Sequence, residues 1–126
     1  MSTVVYDAGV LVAADRNERH AWADHKVRME LGILPLVPAP VVAQVSRLPQ
    51  QVQFRRFLNG CVVIPFGESD AHEAGRLLGK SKTADVIDAA VVTTALQHKA
   101  TILTSEPDDM ERLVRASGRD VCVAEI

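Results

Sequence analysis

The sequence has few cysteines and few aromatic residues. Its two cysteines, Cys61 and Cys122, both lie in β-branched runs. Such runs are typical of interior strands, so we expect two buried thiols rather than a disulfide or a metal site. With one Trp, one Tyr and three Phe, stacking of bases on aromatic rings is not expected to dominate any binding of nucleic acid.

The sequence also lacks an excess of positive charge and a long hydrophobic segment. A formal net charge of -2 and a pI near 6.0 provide no overall basic field. Any binding of RNA would therefore require a local basic patch. No apolar run approaches the ~20 residues of a membrane-spanning helix, and no basic segment followed by an apolar one begins the chain. We expect a cytoplasmic protein that does not span a membrane.

Short β-branched runs alternate with longer segments of helical periodicity. This alternation predicts one α/β domain over residues 1–126, a three-layer sandwich with a central, mainly parallel sheet of four to five strands flanked by helices. The predicted strands are Thr3–Tyr6, Leu36–Val37, Cys61–Pro65, Thr101–Thr104 and Val121–Ala124. The predicted helices are Gly9–Asp15, Glu18–Leu31, Pro40–Arg47, Gln50–Leu58, Ser69–Gly79, Ala84–His98 and Asp108–Ala116.

Acidic residues follow two of the predicted strands and begin one of the predicted helices. Asp7 comes directly after the first strand, Glu106 follows the fourth, and Asp85 and Asp88 start the helix that leads into the fourth. Because sites in parallel sheets form at the carboxyl ends of strands, these carboxylates are expected to meet at one edge. Clustered carboxylates usually hold a hard divalent cation such as Mg²⁺, which suits hydrolysis of phosphodiester bonds.

Each acid also has a purely structural interpretation. Asp7 and Asp85 precede helices, where acidic residues serve as N-caps. Asp88 lies one helical turn after Asp85, but inside the apolar run Val86–Val92. An ionised carboxylate there needs a cation or strong hydrogen-bond donors to offset its desolvation. This favours a functional role for Asp88, whereas both interpretations of Asp7 and Asp85 stay open.

Three segments together resemble the VapC-like toxins of the PIN-domain family. They are Val4–Leu11 around Asp7, Ala84–Ala90 around Asp85, and Ile102–Asp109 around Glu106. Their order and spacing cover nearly the whole chain. The resemblance implies a PIN-like fold and a Mg²⁺- or Mn²⁺-dependent endoribonuclease, which is neutralised by a small cognate antitoxin and is often a homodimer.

By this resemblance Asp7, Asp85 and Glu106 take the acidic positions of the family, with Glu106 where Asp is usual. Asp88 corresponds to an additional acid found in part of the family. Thr104 would orient a carboxylate or a water, although a Thr at a strand end needs no such role. The last candidate, Asp109, either supports the site or simply caps the following helix.

Two positions depart from the family's pattern. Gln44 stands where a Glu is common, and no acid occurs from Leu31 to Gly67. An amide oxygen can contact a metal or a water but adds no charge and cannot act as a base, so metal affinity would be reduced, with Asp88 compensating in part. Ala8 and Gly9 follow Asp7 where a hydroxyl residue is usual, so one supporting hydrogen bond is expected to be absent.

Other polar and apolar positions bear on binding. Arg16, Arg47 and Lys82 are the cations predicted to contact RNA phosphates, although exposed cations are ordinarily only solubilising. The four histidines lack paired metal spacing and are expected at the surface. Apolar side chains in Val41–Val45 and Phe54–Leu58 either pack into the core or form a groove for an antitoxin helix or a second subunit.

Three functions remain in competition. The first is a metal-dependent endoribonuclease that acts as a toxin. The second is a PIN-like module that binds RNA or an antitoxin without cleaving RNA, suggested by Gln44. A receiver-like signalling domain is disfavoured because two acids directly after the first strand would be expected. Loss of Mn²⁺-dependent RNA cleavage in Asp7→Asn would separate the first function from the others.

Overall fold

A computed structural model of the chain describes residues 2–49 and 51–126. In these residues five strands and seven helices alternate. The strands are β1 Thr3–Tyr6, β2 Leu34–Pro38, β3 Val62–Ile64, β4 Thr101–Thr104 and β5 Val123–Glu125. The helices are α1 Ala8–Asp15, α2 Arg19–Glu30, α3 Ala39–Ser46, α4 Val52–Leu58, α5 Glu68–Ser81, α6 Val86–His98 and α7 Pro107–Ser117.

The five strands form one parallel sheet in the order β3-β2-β1-β4-β5. The central strand is β1, where Val5 pairs with Leu36 on one side and Ile102 on the other, and all three side chains are buried. Right-handed crossovers place α1–α4 on one face of the sheet and α5–α7 on the other. The predicted three-layer α/β sandwich is confirmed, with a sheet that is parallel throughout.

Helix α6 is the most buried helix of the fold. Every residue from Ala89 to Leu96 is buried, which is typical of a helix that is apolar on all sides and packed in a core. It contacts β1, β2 and β4 beneath it and α3, α5 and α7 around it. The first turn of α6 is thereby held at the carboxyl edge of the central strands.

The predicted bounds of most elements agree with the structure to within two residues. Strand β2 begins two residues earlier than predicted and includes Pro35, and β5 begins two residues later than predicted. The predicted start of α4 at Gln50 lies outside the described residues, and the observed helix begins at Val52. Within the described residues, the helices are too short or too polar to traverse a bilayer.

Two predictions about burial are wrong. Cys122 is exposed and lies just before β5, a three-residue strand at the edge of the sheet. His25 is buried rather than at the surface, with its Nδ1 atom 2.8 Å from the Tyr6 hydroxyl and its ring 4.1 Å from the Phe57 ring. Cys61 is half-buried, and burial raises the pKa of its thiol to about 12.

The apolar side chains of α3 and α4 pack into the core. Val41, Val45, Phe54 and Phe57 are all buried and belong to one hydrophobic cluster around the sheet. Core packing is therefore the correct interpretation of these four residues.

Candidate metal centre

Asp7 stands where the central strand β1 turns into α1. Its side chain is buried, and one carboxylate oxygen accepts a 2.7 Å hydrogen bond from the Ala8 backbone as the N-cap of α1. Its own backbone N–H donates to the Leu103 carbonyl of β4 at 3.0 Å. Asp7 is thus both a helix cap and a carboxylate held at the edge between β1 and β4.

Thr104, the last residue of β4, connects Asp7 to the turn that carries Glu106. The Thr104 side chain is fully buried and donates a 2.7 Å hydrogen bond to the second carboxylate oxygen of Asp7. The same hydroxyl accepts a 3.0 Å hydrogen bond from the Glu106 backbone N–H. One hydroxyl therefore sets the position of two acidic segments, which is more than a strand-end Thr requires.

Asp85 and Asp88 enter from the start of α6. Asp85 is the N-cap, and its carboxylate accepts a 3.0 Å hydrogen bond from the Asp88 backbone N–H. The Asp85 side chain is exposed, whereas Asp88 is half-buried. The capping role of Asp85 is present in the structure, and it leaves the second oxygen of Asp85 outside the cap.

Three carboxylates converge at this edge of the sheet. Asp88, Glu106 and Asp109 each offer one oxygen within 4.8 Å of the others. Asp109 extends from the first turn of α7 and so joins the cluster although it was predicted only as a supporting residue. Among the described residues, Asp7 and Asp85 lie outside this three-oxygen group and act on it through their charge.

Burial, together with mutual repulsion, raises the pKa values of three of the acids, Asp88, Asp7 and Glu106. Burial raises the pKa of Asp88 to about 7, and the charges of Asp85, Asp7, Glu106 and Asp109 add to the effect. Burial also raises the pKa of Asp7, against the opposing hydrogen bonds from Thr104 and Ala8.

The pKa of Glu106 is also raised. Its pKa is raised by partial desolvation, by a hydrogen bond with Asp109 and by the charges of Asp109, Asp7 and Asp85. A cluster that resists ionisation in this way, and whose donors are all carboxylate oxygens, fits a hard divalent cation. The cation would add positive charge beside Asp88, Glu106 and Asp109.

Gln44 lies on α3, the helix that follows β2. The side chain is half-buried, and α3 packs against both α1 and α6. The helix that carries Gln44 thus contacts the helices that begin at Asp7 and Asp85. No negative charge enters the site from α3.

The three predicted RNA-contacting cations are exposed but separated. Lys82 lies in the turn that leads to Asp85. Arg16 and Arg47 follow the last residues of α1 and α3. Each of these eight-residue helices is about 12 Å long, so the two arginines lie a helix length from the acidic edge. Their contact with RNA stays a prediction.

Two residues near the acids were missed in the sequence. Arg112 lines a depression together with Asp85, Asp88 and Asp109. The sequence does contain an indication of this position: Arg112 lies three residues after Asp109, which puts both side chains on one face of α7. Glu125 lines a second depression with Glu106, and its backbone pairs with Thr104 in the sheet. The predicted last strand stopped one residue before Glu125, so no spacing indicated it.

Comparisons with known proteins agree with this architecture. The sequence model of the PIN domain matches residues 4–116. No curated protein sequence matches the chain. Among solved structures, VapBC2 from Rickettsia felis, bound to a DNA fragment from its promoter, aligns with a TM-score of 0.75 at 14% identity, covering 98% of both chains.

Two further structures share the fold. A toxin-antitoxin complex from Klebsiella pneumoniae aligns with a TM-score of 0.66 at 19% identity, covering 84% of this chain and 88% of the other. FitAcB from Neisseria gonorrhoeae aligns with a TM-score of 0.66 at 16% identity, covering 95% of both chains. The fold, the acidic edge and the sequence match over most of the chain lead to one assignment: the chain belongs to the PIN domain family.

Proposed function

We propose that this chain is a divalent-metal-dependent endoribonuclease and the toxin of a toxin–antitoxin pair. The observation that carries the proposal is the convergence of Asp88, Glu106 and Asp109, with one oxygen of each within 4.8 Å of the others. PIN domains are generally nucleases, which supports hydrolysis of phosphodiester bonds. The choice of RNA as substrate rests on the resemblance to VapC-like toxins.

The proposed cofactor is Mg²⁺, with Mn²⁺ as a substitute. Its proposed ligands are Asp7, Asp85, Asp88 and Glu106, with Asp109, Thr104 and Gln44 in supporting roles. When bound, such a cation favours deprotonation of a water and neutralises charge on the attacked phosphate. Thr104 holds Asp7 in one orientation, which lowers the entropy that must be lost when the cation binds.

Two charged groups complete the proposed chemistry. Burial and the neighbouring acids raise the pKa of Asp88 to about 7, so without a metal this carboxyl binds a proton more readily than an exposed aspartate does. A cation would compete with that proton for the same oxygen. Arg112, in the depression shared with Asp85 and Asp88, offers a positive charge to an approaching phosphate.

The proposed partners are an RNA substrate, a small cognate antitoxin and a second copy of the chain. The toxin-antitoxin complex from Klebsiella pneumoniae supports an antitoxin partner, since its fold is shared. Exposed apolar side chains suit such contacts: Val27 is 52% exposed and Leu31, one turn later, is 70% exposed. These two residues at the end of α2 are the surface we would test first.

A second candidate function is a PIN-like module that binds RNA or an antitoxin without cleavage. It is favoured by Gln44, which brings a neutral amide to α3 where a carboxylate would strengthen metal binding. The two functions differ in one measurable respect, the dependence of RNA cleavage on a divalent cation.

The test is cleavage of a mixed cellular RNA pool by the purified protein with Mg²⁺, Mn²⁺ or EDTA. Three variants accompany it: Asp88→Asn removes a proposed ligand, Gln44→Glu adds a carboxylate, and Asp120→Asn is a matched control in an exposed loop. Discrete cuts that require the metal, persist in Asp120→Asn and vanish in Asp88→Asn support the nuclease.

The opposite results discriminate between the candidates. Cleavage by Gln44→Glu alone would identify a disabled nuclease scaffold that is used for binding. Cleavage that survives both EDTA and Asp88→Asn would contradict the metal mechanism and point to a contaminating ribonuclease.

A further inference from the structure

A small cavity lies between α5, α6 and the end of α7, outside the acidic cluster. Its volume is about 120 Å³, against about 30 Å³ for one water molecule in the liquid. Arg76 and Lys80 of α5, Thr93 of α6 and Arg119 after α7 are among its lining residues. The cavity therefore combines three cations with one buried hydroxyl.

The three cations lack carboxylate partners. Within the described residues the salt bridge between His72 and Glu68 is the one ion pair. Arg76 and Lys80 are four residues apart on one helix, a spacing at which like charges destabilise a helix unless an anion lies between them. The Arg119 guanidinium donates a 3.1 Å hydrogen bond to the Leu96 carbonyl, which holds its charge at the cavity.

Thr93 is the unusual member of the lining. Its side chain is fully buried, and its hydroxyl has no hydrogen-bond partner within the described residues. A buried hydroxyl without a partner costs about 1–3 kcal/mol. The hydroxyl has almost no accessible surface of its own, so an acceptor within the cavity removes this cost only after a change of the Thr93 rotamer.

One carboxylate also lines the cavity. Glu73 accepts a 3.2 Å hydrogen bond from the Gln97 amide, which also donates to Asp70 at 2.7 Å. Part of the negative charge of Glu73 is thus engaged outside the cavity. Three cations against one carboxylate leave an excess of positive charge.

We propose that this cavity binds a single phosphate-type oxyanion. Arg76, Lys80 and Arg119 supply the charge, and the Thr93 hydroxyl, turned toward the cavity by a change of rotamer, donates a hydrogen bond to one oxygen. The cavity volume is sufficient for one phosphate group. The group is either a free phosphate ion or one phosphate of a nucleic-acid backbone, and the site functions independently of the acidic cluster.

The test is a two-dimensional NMR titration of the full chain with inorganic phosphate, in EDTA and at constant ionic strength. We expect saturable shifts in the backbone amides around Arg76, Thr93 and Arg119, with half-saturation at about 1 mM. Arg76→Gln combined with Lys80→Gln should weaken binding about tenfold or more. The charge-matched control, Lys99→Gln combined with Arg115→Gln, should leave it within about twofold.

The second part of the test uses variants of Thr93. Thr93→Val should weaken phosphate binding about threefold to tenfold, and Thr93→Ser, which retains the hydroxyl, should restore it. Retained dispersion of the NMR spectrum shows that each variant is folded. Absence of saturable shifts up to about 10 mM phosphate, or equal weakening in the two charge pairs, would overturn the proposal.

A third arm distinguishes the two sources of phosphate. A short single-stranded oligonucleotide is titrated under the same conditions in EDTA. Shifts at the cavity that are lost in the Arg76→Gln and Lys80→Gln variant assign the site to a backbone phosphate. Shifts with inorganic phosphate alone assign it to a free ion.

Discussion

The Thr104 hydroxyl donates a 2.7 Å hydrogen bond to the Asp7 carboxylate, across 97 positions of the sequence. Both residues are buried at the ends of neighbouring strands. Because the same hydroxyl accepts from the Glu106 backbone, it connects the acid after β1 to the acid after β4. The geometry of the candidate metal centre therefore depends on one uncharged side chain.

Replacing Thr104 by Val should destabilise the protein and weaken metal binding. The change leaves the second Asp7 carboxylate oxygen without its donor and the Glu106 backbone N–H without its acceptor, and we expect a loss of about 1–3 kcal/mol in the free energy of unfolding. Urea denaturation measures the stability, and calorimetric titration with Mn²⁺ measures the affinity. Thr101→Val, at the other end of β4, is the control and should change neither quantity appreciably. An unaltered stability in Thr104→Val would show that the hydrogen bond contributes nothing net.

The metal-free protein should lose stability as the pH rises. The pKa of Asp88 is raised by burial and by the neighbouring acids to about 7 in the folded state, so the folded state binds a proton that the unfolded chain releases. The stability that this bound proton contributes is fully present below pH 3.8, the pKa of the Asp88 carboxyl in the unfolded chain. It is lost as the pH rises past about 7, the pKa in the folded state.

Asp88→Asn should remove that part of the pH dependence. Thermal melts between pH 4 and pH 8 in EDTA measure it, and the difference between the native chain and Asp88→Asn isolates the Asp88 contribution. Asp120→Asn should retain the native profile. Parallel profiles for the native chain and Asp88→Asn would contradict the raised pKa.

Gly9 and Ser105 should be energetically coupled. A Cβ atom at Gly9 would lie 2.5 Å from the Ser105 hydroxyl oxygen and 3.1 Å from its Cβ. The Ser105 hydroxyl thus occupies space that a side chain after Asp7 would otherwise fill.

The measurement for this pair is a double-mutant cycle by urea denaturation. Gly9→Ala should destabilise by about 1 kcal/mol, despite the better helix propensity of Ala, and Ser105→Gly should relieve the loss. Gly75→Ala, where nothing lies within 4 Å, is the control and should stabilise by about 0.5–1 kcal/mol. Strict additivity of Gly9→Ala and Ser105→Gly would refute the steric explanation.

Tyr6→Phe should reveal the contribution of the buried polar cluster beneath the acidic edge. The Tyr6 hydroxyl lies 2.8 Å from His25 Nδ1 and accepts a 3.2 Å hydrogen bond from Arg28. Its removal should cost about 1–2 kcal/mol of unfolding free energy, since two polar groups lose their partner. In a His25→Leu background the loss should be smaller. An equal loss in both backgrounds would mean that the two residues are not coupled.

Local pattern was sufficient to predict most of the fold. The alternation of β-branched runs with helical segments indicates a parallel sheet, in which Asp7 follows its strand directly and Glu106 follows its strand by two residues. Asp88 was singled out because a carboxylate within an apolar helix requires compensation, and its raised pKa has that cause. Such inferences succeed because they depend on neighbours within a few residues.

Burial at the margins of the sheet could not be predicted in the same way. The runs around Cys61 and Cys122 are alike in sequence, yet Cys122 is exposed. Both cysteines precede strands at the edges of the sheet, and Cys61 is partly covered because it packs against the core beside Phe57. His25 lies in a polar helix, and its burial depends on Tyr6 and Phe57. Strand order and packing across elements decide these positions.

By itself the sequence determined the layered α/β fold and the presence of acids at the carboxyl ends of its strands, because strand, helix and cap preferences are local. The tertiary structure alone decided that Asp109 joins Asp88 and Glu106, that Thr104 orients Asp7, and that Arg112 faces the acids. These contacts join segments far apart in the chain. Their distances are set by how the helices pack on the sheet, which no local preference encodes.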